Sequence, residues 1–368
     1  MKKKIDWSYL LSLTLALVLA LTLGGVIMAV TGHNPLEAYR ELCKGATGLK
    51  SLSEIGQLFS KRQFGNTMEY AMVLFLTGLA CAIGARVGLF NVGGEGQLDL
   101  GAIVSAYIGV LLTDLPGVIV IPVAALGAMA VGGFYAFIPG VLKVKLKVNE
   151  VITTIMMNSI AIFLCAYLSS GPWKTTHPNR VSGTDTLASH LTFGKLIPGS
   201  NLTSAIFASA IIAFLVWYIM GKTTKGYEMK LVGQNPRFAK FAGLKVDATI
   251  IGSMVISGMI CGLVGMFEVY GLKGNYQDGI SKDYYFDGLL VAMIMRYKPV
   301  GIIVMSFAFA FLKVGAQGME LNAGVPGELY RIIQAVIIFS MAAQNGLSAT
   351  VKAYFAKRKA QKGGAQNG

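Results

Sequence analysis

The sequence predicts an all-α, polytopic membrane protein with about eight to ten spans. Three observations predict it. Charged residues make up 14% of the chain and hydrophobic residues 54%, whereas soluble domains carry about 25% charged residues. Apolar runs recur at about the 20-residue length a helix needs to cross the hydrocarbon. Lys and Arg gather at the ends of those runs, which also explains the net charge of +14 without a nucleic-acid surface.

The first run, 9–30, follows Met-Lys-Lys-Lys. It exceeds the roughly 7–15-residue apolar core of a signal peptide, so it reads as an uncleaved first span over 1–30. Residues 31–67 read as an extracellular loop. The body, 68–345, then holds runs at 68–87, 94–113, 117–142, 149–169, 203–221, 248–270, 285–296, 299–315 and 328–345. The run 285–296 is too short to cross alone and reads as half of a broken element. Further outer segments fall at 114–116, 170–202, 271–284 and 316–327. The tail 346–368 is basic, then Gly- and Gln-rich, and reads as a flexible end. The basic clusters place both termini in the cytoplasm.

The stretch Gly88–Gly101 breaks this apolar pattern with five glycines, Asn91, Glu95, Gln97 and Asp99. Such a segment survives at membrane depth only where protein buries it or where it lines a wet cavity. Gly93, Gly94 and Gly96 permit close approach and unusual backbone angles. Glu95 and Asp99, four residues apart, share a helix face. They either line a path or hold Arg86 or backbone amides. Asn158, inside a span, is either a path residue or a helix–helix hydrogen bond. Glu268 lies near the outer end of its span. Gly258 and Gly262 have small-residue packing spacing.

The inner loop 222–247 predicts a short helix over 236–242. Asn235 suits an N-cap and Pro236 the first helical position. Gly243 suits the residue after the C-cap. Phe238, Phe241 and Ala242 share a face flanked by Arg237 and Lys240. Gly221-Lys222-Thr223 lacks the earlier glycine of a phosphate-binding loop and follows a span, not a strand. No metal-ligand or nucleophile pattern is present, so no catalytic residue and no bound cofactor is expected. Energy for uphill movement comes from an ion gradient or another subunit.

Several stretches together resemble the permease subunits of bacterial ABC importers, the group that includes ribose and branched-chain amino acid permeases. They are Phe90-Asn91-Val-Gly-Gly-Glu-Gly-Gln97, Asn149-Glu150-Val-Ile-Thr-Thr-Ile-Met-Met-Asn158 and Gly233-Gln-Asn-Pro-Arg-Phe-Ala-Lys-Phe-Ala-Gly243. Phe267-Glu268-Val-Tyr-Gly, Asp283–Met293 and Gly324-Val-Pro-Gly-Glu-Leu look more like the nucleoside-uptake branch. Met295-Arg-Tyr-Lys-Pro and the long segment 31–67 depart from that pattern.

The resemblance implies a type II-like importer fold with inverted halves. It implies a second, related permease, a separate ATPase that uses ATP, an external substrate-binding lipoprotein and a nucleoside substrate. Gly233, Asn235, Pro236, Arg237, Phe238, Lys240, Phe241 and Gly243 then form the docking element for the ATPase. Phe90, Asn91, Glu95, Gln97, Asn158 and Glu268 are the expected path residues. Gly93, Gly94, Gly96, Gly258 and Gly262 are the expected hinge and packing positions. Sugar or branched-chain amino acid transport is the alternative within the group. An ion-coupled secondary transporter, with Glu95, Asp99 and Glu268 as ion sites, is the alternative outside it.

Overall fold

The computed structural model describes residues 7–48, 61–177, 182–281 and 283–340. The first six residues, the tail 346–368 and residues 341–345 of the last expected span lie outside them. The described chain is helical: α1 (Trp7–Val30), α2 (Pro35–Thr47), α3 (Lys61–Arg86), α4 (Gly94–Leu111), α5 (Gly117–Leu146), α6 (Glu150–Ser170), α7 (Ala205–Lys222), α8 (Thr224–Gln234), α9 (Pro236–Phe241), α10 (Val246–Glu268), α11 (Tyr284–Ile294), α12 (Pro299–Ala323) and α13 (Leu329–Ser340). Among the described residues six helices are long and apolar enough to cross a membrane: α3, α5, α6, α7, α12, and α10 with its extension to Lys273.

The chain divides into two units, 47–311 and a second formed by 1–46 with 312–368. In the larger unit α10 packs on α5, α4 and α3, and α11 packs on α3. Small residues set these contacts. A Cβ on Gly258 would overlap the carbonyl of Gly132 on α5, and one on Gly262 would overlap that of Ala128. Side chains are missing where the backbones cross, so the helices approach as small-residue membrane helices do.

Burial separates core from coat. The apolar window of α3 is 89% buried, while that of α6 is 22% buried. Phe134, Phe163 and Phe207 point outward from α5, α6 and α7. An apolar face this broad suits a hydrocarbon solvent.

In the smaller unit, Gly315 and Gly318 of α12 press on Leu42 and Gly45 of α2. The Tyr39 hydroxyl donates to the Leu21 carbonyl. These contacts explain two differences from the sequence reading. Residues 35–47 are helical, not loop, because Ala38, Leu42, Gly45 and Ala46 bury one face of an otherwise polar stretch. The helix starting at Pro299 runs to Ala323, not 315, since glycines buried against α2 continue past polar Gln317 and Glu320.

Candidate functional site

Residues 87–93 are irregular backbone between α3 and α4. Every polar group left without a helical partner there is costly when buried. Neighbouring side chains meet that demand. The Val92 N–H donates to Thr154 Oγ1 (3.2 Å), and Asn158 Nδ2 donates to the Val92 carbonyl (2.8 Å). Asn158 Oδ1 accepts from the Gly96 N–H (2.9 Å), at the start of α4. The Tyr285 hydroxyl donates to the Asn91 carbonyl.

Asn91 is fully enclosed. Its Nδ2 donates to Gln97 Oε1 (3.1 Å) and Ser257 Oγ (3.0 Å). Its Oδ1 accepts from the Gly93 N–H (3.0 Å) and Gln97 Nε2 (3.3 Å). Four bonds saturate this amide. Asn91, Gln97 and Asn158 therefore hold the broken segment in place.

Glu95 is equally committed. Its Oε1 accepts from the Asp283 N–H (2.9 Å) and its Oε2 from the Tyr285 N–H (3.0 Å). Asp283 is the N-cap residue of α11, in the left-handed region at φ 66°. Its own side chain makes no cap hydrogen bond, so Glu95 supplies the cap from another helix. A carboxylate also complements the positive end of the helix dipole. The eleven residues of α11 span only about 16 Å at 1.5 Å per residue. That is roughly half the hydrocarbon. Glu95 thus occupies the half-helix N-terminus at which broken-helix transporters bind anionic substrate groups. Arg86 is not its partner, since its guanidinium donates to the Met220 carbonyl (3.0 Å).

The glycines act by contact. Gly93 has φ −82°, and neither it nor Gly94 nor Gly96 has positive φ. The expectation of unusual backbone angles is corrected on this point. A Cβ on Gly94 would fall inside the Tyr285 ring, and one on Gly96 would lie 2.7 Å from Ala161 Cβ.

Sequence reasoning named Glu268 but missed Glu69, Tyr70, Asp287 and Ser281. The Glu69 and Glu268 carboxyls are buried and hydrogen-bond to each other, with Lys273 nearby. Tyr70 donates to Asp287 Oδ2 (2.8 Å) and meets Tyr284 edge-to-face at 5.5 Å. Ser281, from the segment before α11, hydrogen-bonds both Glu95 and Asp99. Glu69 sits one residue inside its apolar run, and a carboxylate there was the available signal. Phe90 is half-buried. Tyr107 stacks on Trp173 (4.2 Å, 11°).

The loop 222–247 forms the expected capped helix as α9. Asn235 Oδ1 accepts from the Phe238 N–H (3.0 Å), with Pro236 at the first position. Gly243, at φ 81°, closes it. The Leu244 N–H reaches the Ala239 carbonyl (3.0 Å) and the Gly243 N–H that of Lys240 (3.1 Å), a complete Schellman ending. Ala239 faces inward, while Phe241 is 92% and Phe238 57% exposed. Thr223, at the rejected phosphate-loop match, is the N-cap of α8. Gly233, near the end of α8, lies directly on Arg86 and Val87 at the end of α3. The capped helix α9 and the broken segment are therefore two steps apart.

Comparison with known proteins agrees with this architecture. The family described as the branched-chain amino acid transport system permease component matches residues 63–342. The chain is 34% identical to the guanosine ABC transporter permease protein NupP of Bacillus subtilis, covering 91% of this chain and 93% of that one. It is 33% identical to the nucleoside ABC transporter permease protein NupB of Lactococcus lactis, covering 89% of each. It is 32% identical to the glucose ABC transporter permease protein TsgB13 of Haloferax volcanii, over 88% of this chain and 84% of that one. No solved structure matches it. With the family spanning most of the length and six helices fit to cross a membrane, the chain belongs to the branched-chain amino acid transport system permease family and is a multi-pass membrane permease component.

Proposed function

We propose that this chain is the permease subunit of an ATP-driven importer for nucleosides. The observation that carries the reading is its likeness, over about nine-tenths of the length, to permeases named for nucleosides and guanosine. Glu95 adds a physical reason. A resident carboxylate on the α11 N-terminus leaves no place there for an anionic permeant, which suits a neutral, polar nucleoside.

The chain carries no catalytic residue and no cofactor of its own in this reading. A separate ATPase binds ATP and docks on α9, whose exposed Phe238 and Phe241 want an apolar partner. Arg237 and Lys240 rim that contact. A second, related permease completes the path, and an external lipoprotein delivers the substrate. Bacillus subtilis has a second guanosine permease protein, NupQ, 24% identical to this chain, which supports a pair of unlike permeases. The termini face the cytoplasm of a bacterial cell whose plasma membrane holds the 68–345 body, and nucleic acid plays no part. The outer loops are the docking face for the lipoprotein.

Uptake of labelled guanosine in the native host tests the reading. Loss of uptake on deleting this chain supports it, and unchanged uptake refutes it. A second reading rests on the glucose permease of Haloferax volcanii. It predicts that glucose, not guanosine, is the labelled solute whose uptake depends on the chain.

A further inference from the structure

The polar residues of the broken segment sort themselves by their hydrogen bonds. Asn91, Gln97, Asn158 and Glu95 spend their side-chain capacity on this chain's own amides. Asp99 does not. It lies one turn beyond Glu95 on α4, 3% exposed. Its carboxyl meets the backbone and side chain of Ser281, yet Oδ1 has no hydrogen-bond partner among the described residues. A buried acceptor without a donor costs about 1–3 kcal/mol, so its presence asks for a reason.

What surrounds Asp99 points to a ligand. Glu95 from its own helix, Asp278 and Ser281 from the segment before α11, and Tyr276 all lie within electrostatic or hydrogen-bonding reach. Asp278 is exposed and is held by Ser169 Oγ at 2.7 Å. The segment from Gln277 to Ser281 therefore runs from exposed residues inward to the carboxyl. The described residues supply no donor to Oδ1, and a donor brought by the permeant would complete the set.

We infer that Asp99 Oδ1 accepts a hydrogen bond from an O–H or N–H of the permeant, making Asp99 a specificity-determining residue of the path. The inference rests on the nucleoside reading and deepens it. A nucleoside carries ribose hydroxyls and, in guanosine, ring and exocyclic N–H groups, all neutral donors. A site built to bind a donor rejects an analogue that lacks it far more strongly than an apolar pocket rejects a missing methylene.

The test compares wild type with Asp99→Asn, introduced on the chromosome of the native host. Uptake of labelled guanosine is competed by 2′-deoxy-, 3′-deoxy- and 5′-deoxyguanosine, and by inosine, which lacks the 2-amino group. One analogue should compete about tenfold worse than guanosine in wild type, and that gap should close in Asp99→Asn as the KM for guanosine rises about tenfold. The purified variant should also melt at a higher temperature, since an amide relieves the orphaned acceptor beside Glu95 and Asp278. A merely structural Asp99 would move stability the other way. An unchanged analogue ranking and KM in the variant overturns the inference and leaves the nucleoside reading standing. Failure of the variant to accumulate in the membrane, or a lower melting temperature, also overturns the inference. Absence of guanosine uptake in wild type overturns the nucleoside reading, and the inference falls with it.

Discussion

Gly233 and Arg86 meet backbone to backbone: a Cβ on the glycine would overlap the arginine's carbonyl oxygen. The first residue lies near the end of α8, immediately before α9, and the second ends α3, immediately before the broken segment. Arg86 reinforces the junction through its bond to the Met220 carbonyl on α7. Gly88, at φ 79°, turns the chain beside Gly233. The end of α8 and the irregular backbone at 87–93 thus share one short contact.

Gly233→Ala should separate α8 from α3. Overpacking costs about 1–3 kcal/mol, so the protein should still reach the membrane. Substrate-stimulated ATP hydrolysis by the assembled transporter should fall several-fold, with basal hydrolysis retained. Equal stimulation in variant and wild type would show that the contact carries no coupling.

Phe241→Ala alters a side chain that is 92% exposed and should leave the unfolding free energy within about 0.5 kcal/mol of wild type, as surface substitutions do. Uptake should drop about tenfold or more, and cross-linking from α9 to the ATPase should weaken. A variant with full uptake would remove Phe241 from the docking face.

Glu95→Gln removes the carboxylate from the α11 cap. One amide of α11 then faces an NH₂ group instead of an acceptor, at a cost of about 1–3 kcal/mol. The melting temperature should fall while the KM for guanosine holds. The opposite pattern, a stable protein with a raised KM, would mark Glu95 as a substrate ligand.

Gly94→Val should abolish accumulation, because the Tyr285 ring occupies the space a side chain needs and Tyr285 also bonds the Asn91 carbonyl. Immunoblotting of membranes reads this directly. Normal levels would mean that α11 yields at that point.

Asp185 gives the chain around it a pH dependence. Burial alone would raise its carboxyl, but bonds from Thr175 Oγ1 (2.8 Å), the Thr176 N–H (2.7 Å) and Thr176 Oγ1 (3.1 Å), with His177 nearby, hold it below the ordinary value. A lowered folded-state pKa adds stability above the unfolded value of about 3.9, and that stability is lost as pH falls through the lower folded value. Limited proteolysis of this segment should therefore be flat from neutrality down to about pH 5. Below about pH 4 it should accelerate, and Thr175→Val should move the onset upward.

Much of this was legible in the chain. Asn235, Pro236 and Gly243 specify α9 because caps act locally and need no partner helix. The run 285–296 read as half an element because length alone decides whether a helix can cross. The glycine-broken segment read as buried by protein or lining a wet cavity because lipid cannot satisfy it. What stayed hidden depends on contacts distant in sequence. Nothing near Glu95 announces that α11, almost two hundred residues on, needs a cap. The pairing of Glu69 with Glu268 is equally non-local. The helix at 35–47 was lost because its apolar face is narrow and has meaning only against the glycines of α12.

The cap that Glu95 places on α11 limits how this protein can move. Drawing α4 away from α11 would strand a carboxylate and two amides in a low-dielectric interior, each a loss of kilocalories. Those two helices, with the Asn91 amide network between them, must then travel as a single block. Whatever opens and closes on either side of the membrane does so at the edges of that block, along seams lined by side chains that lose little when parted.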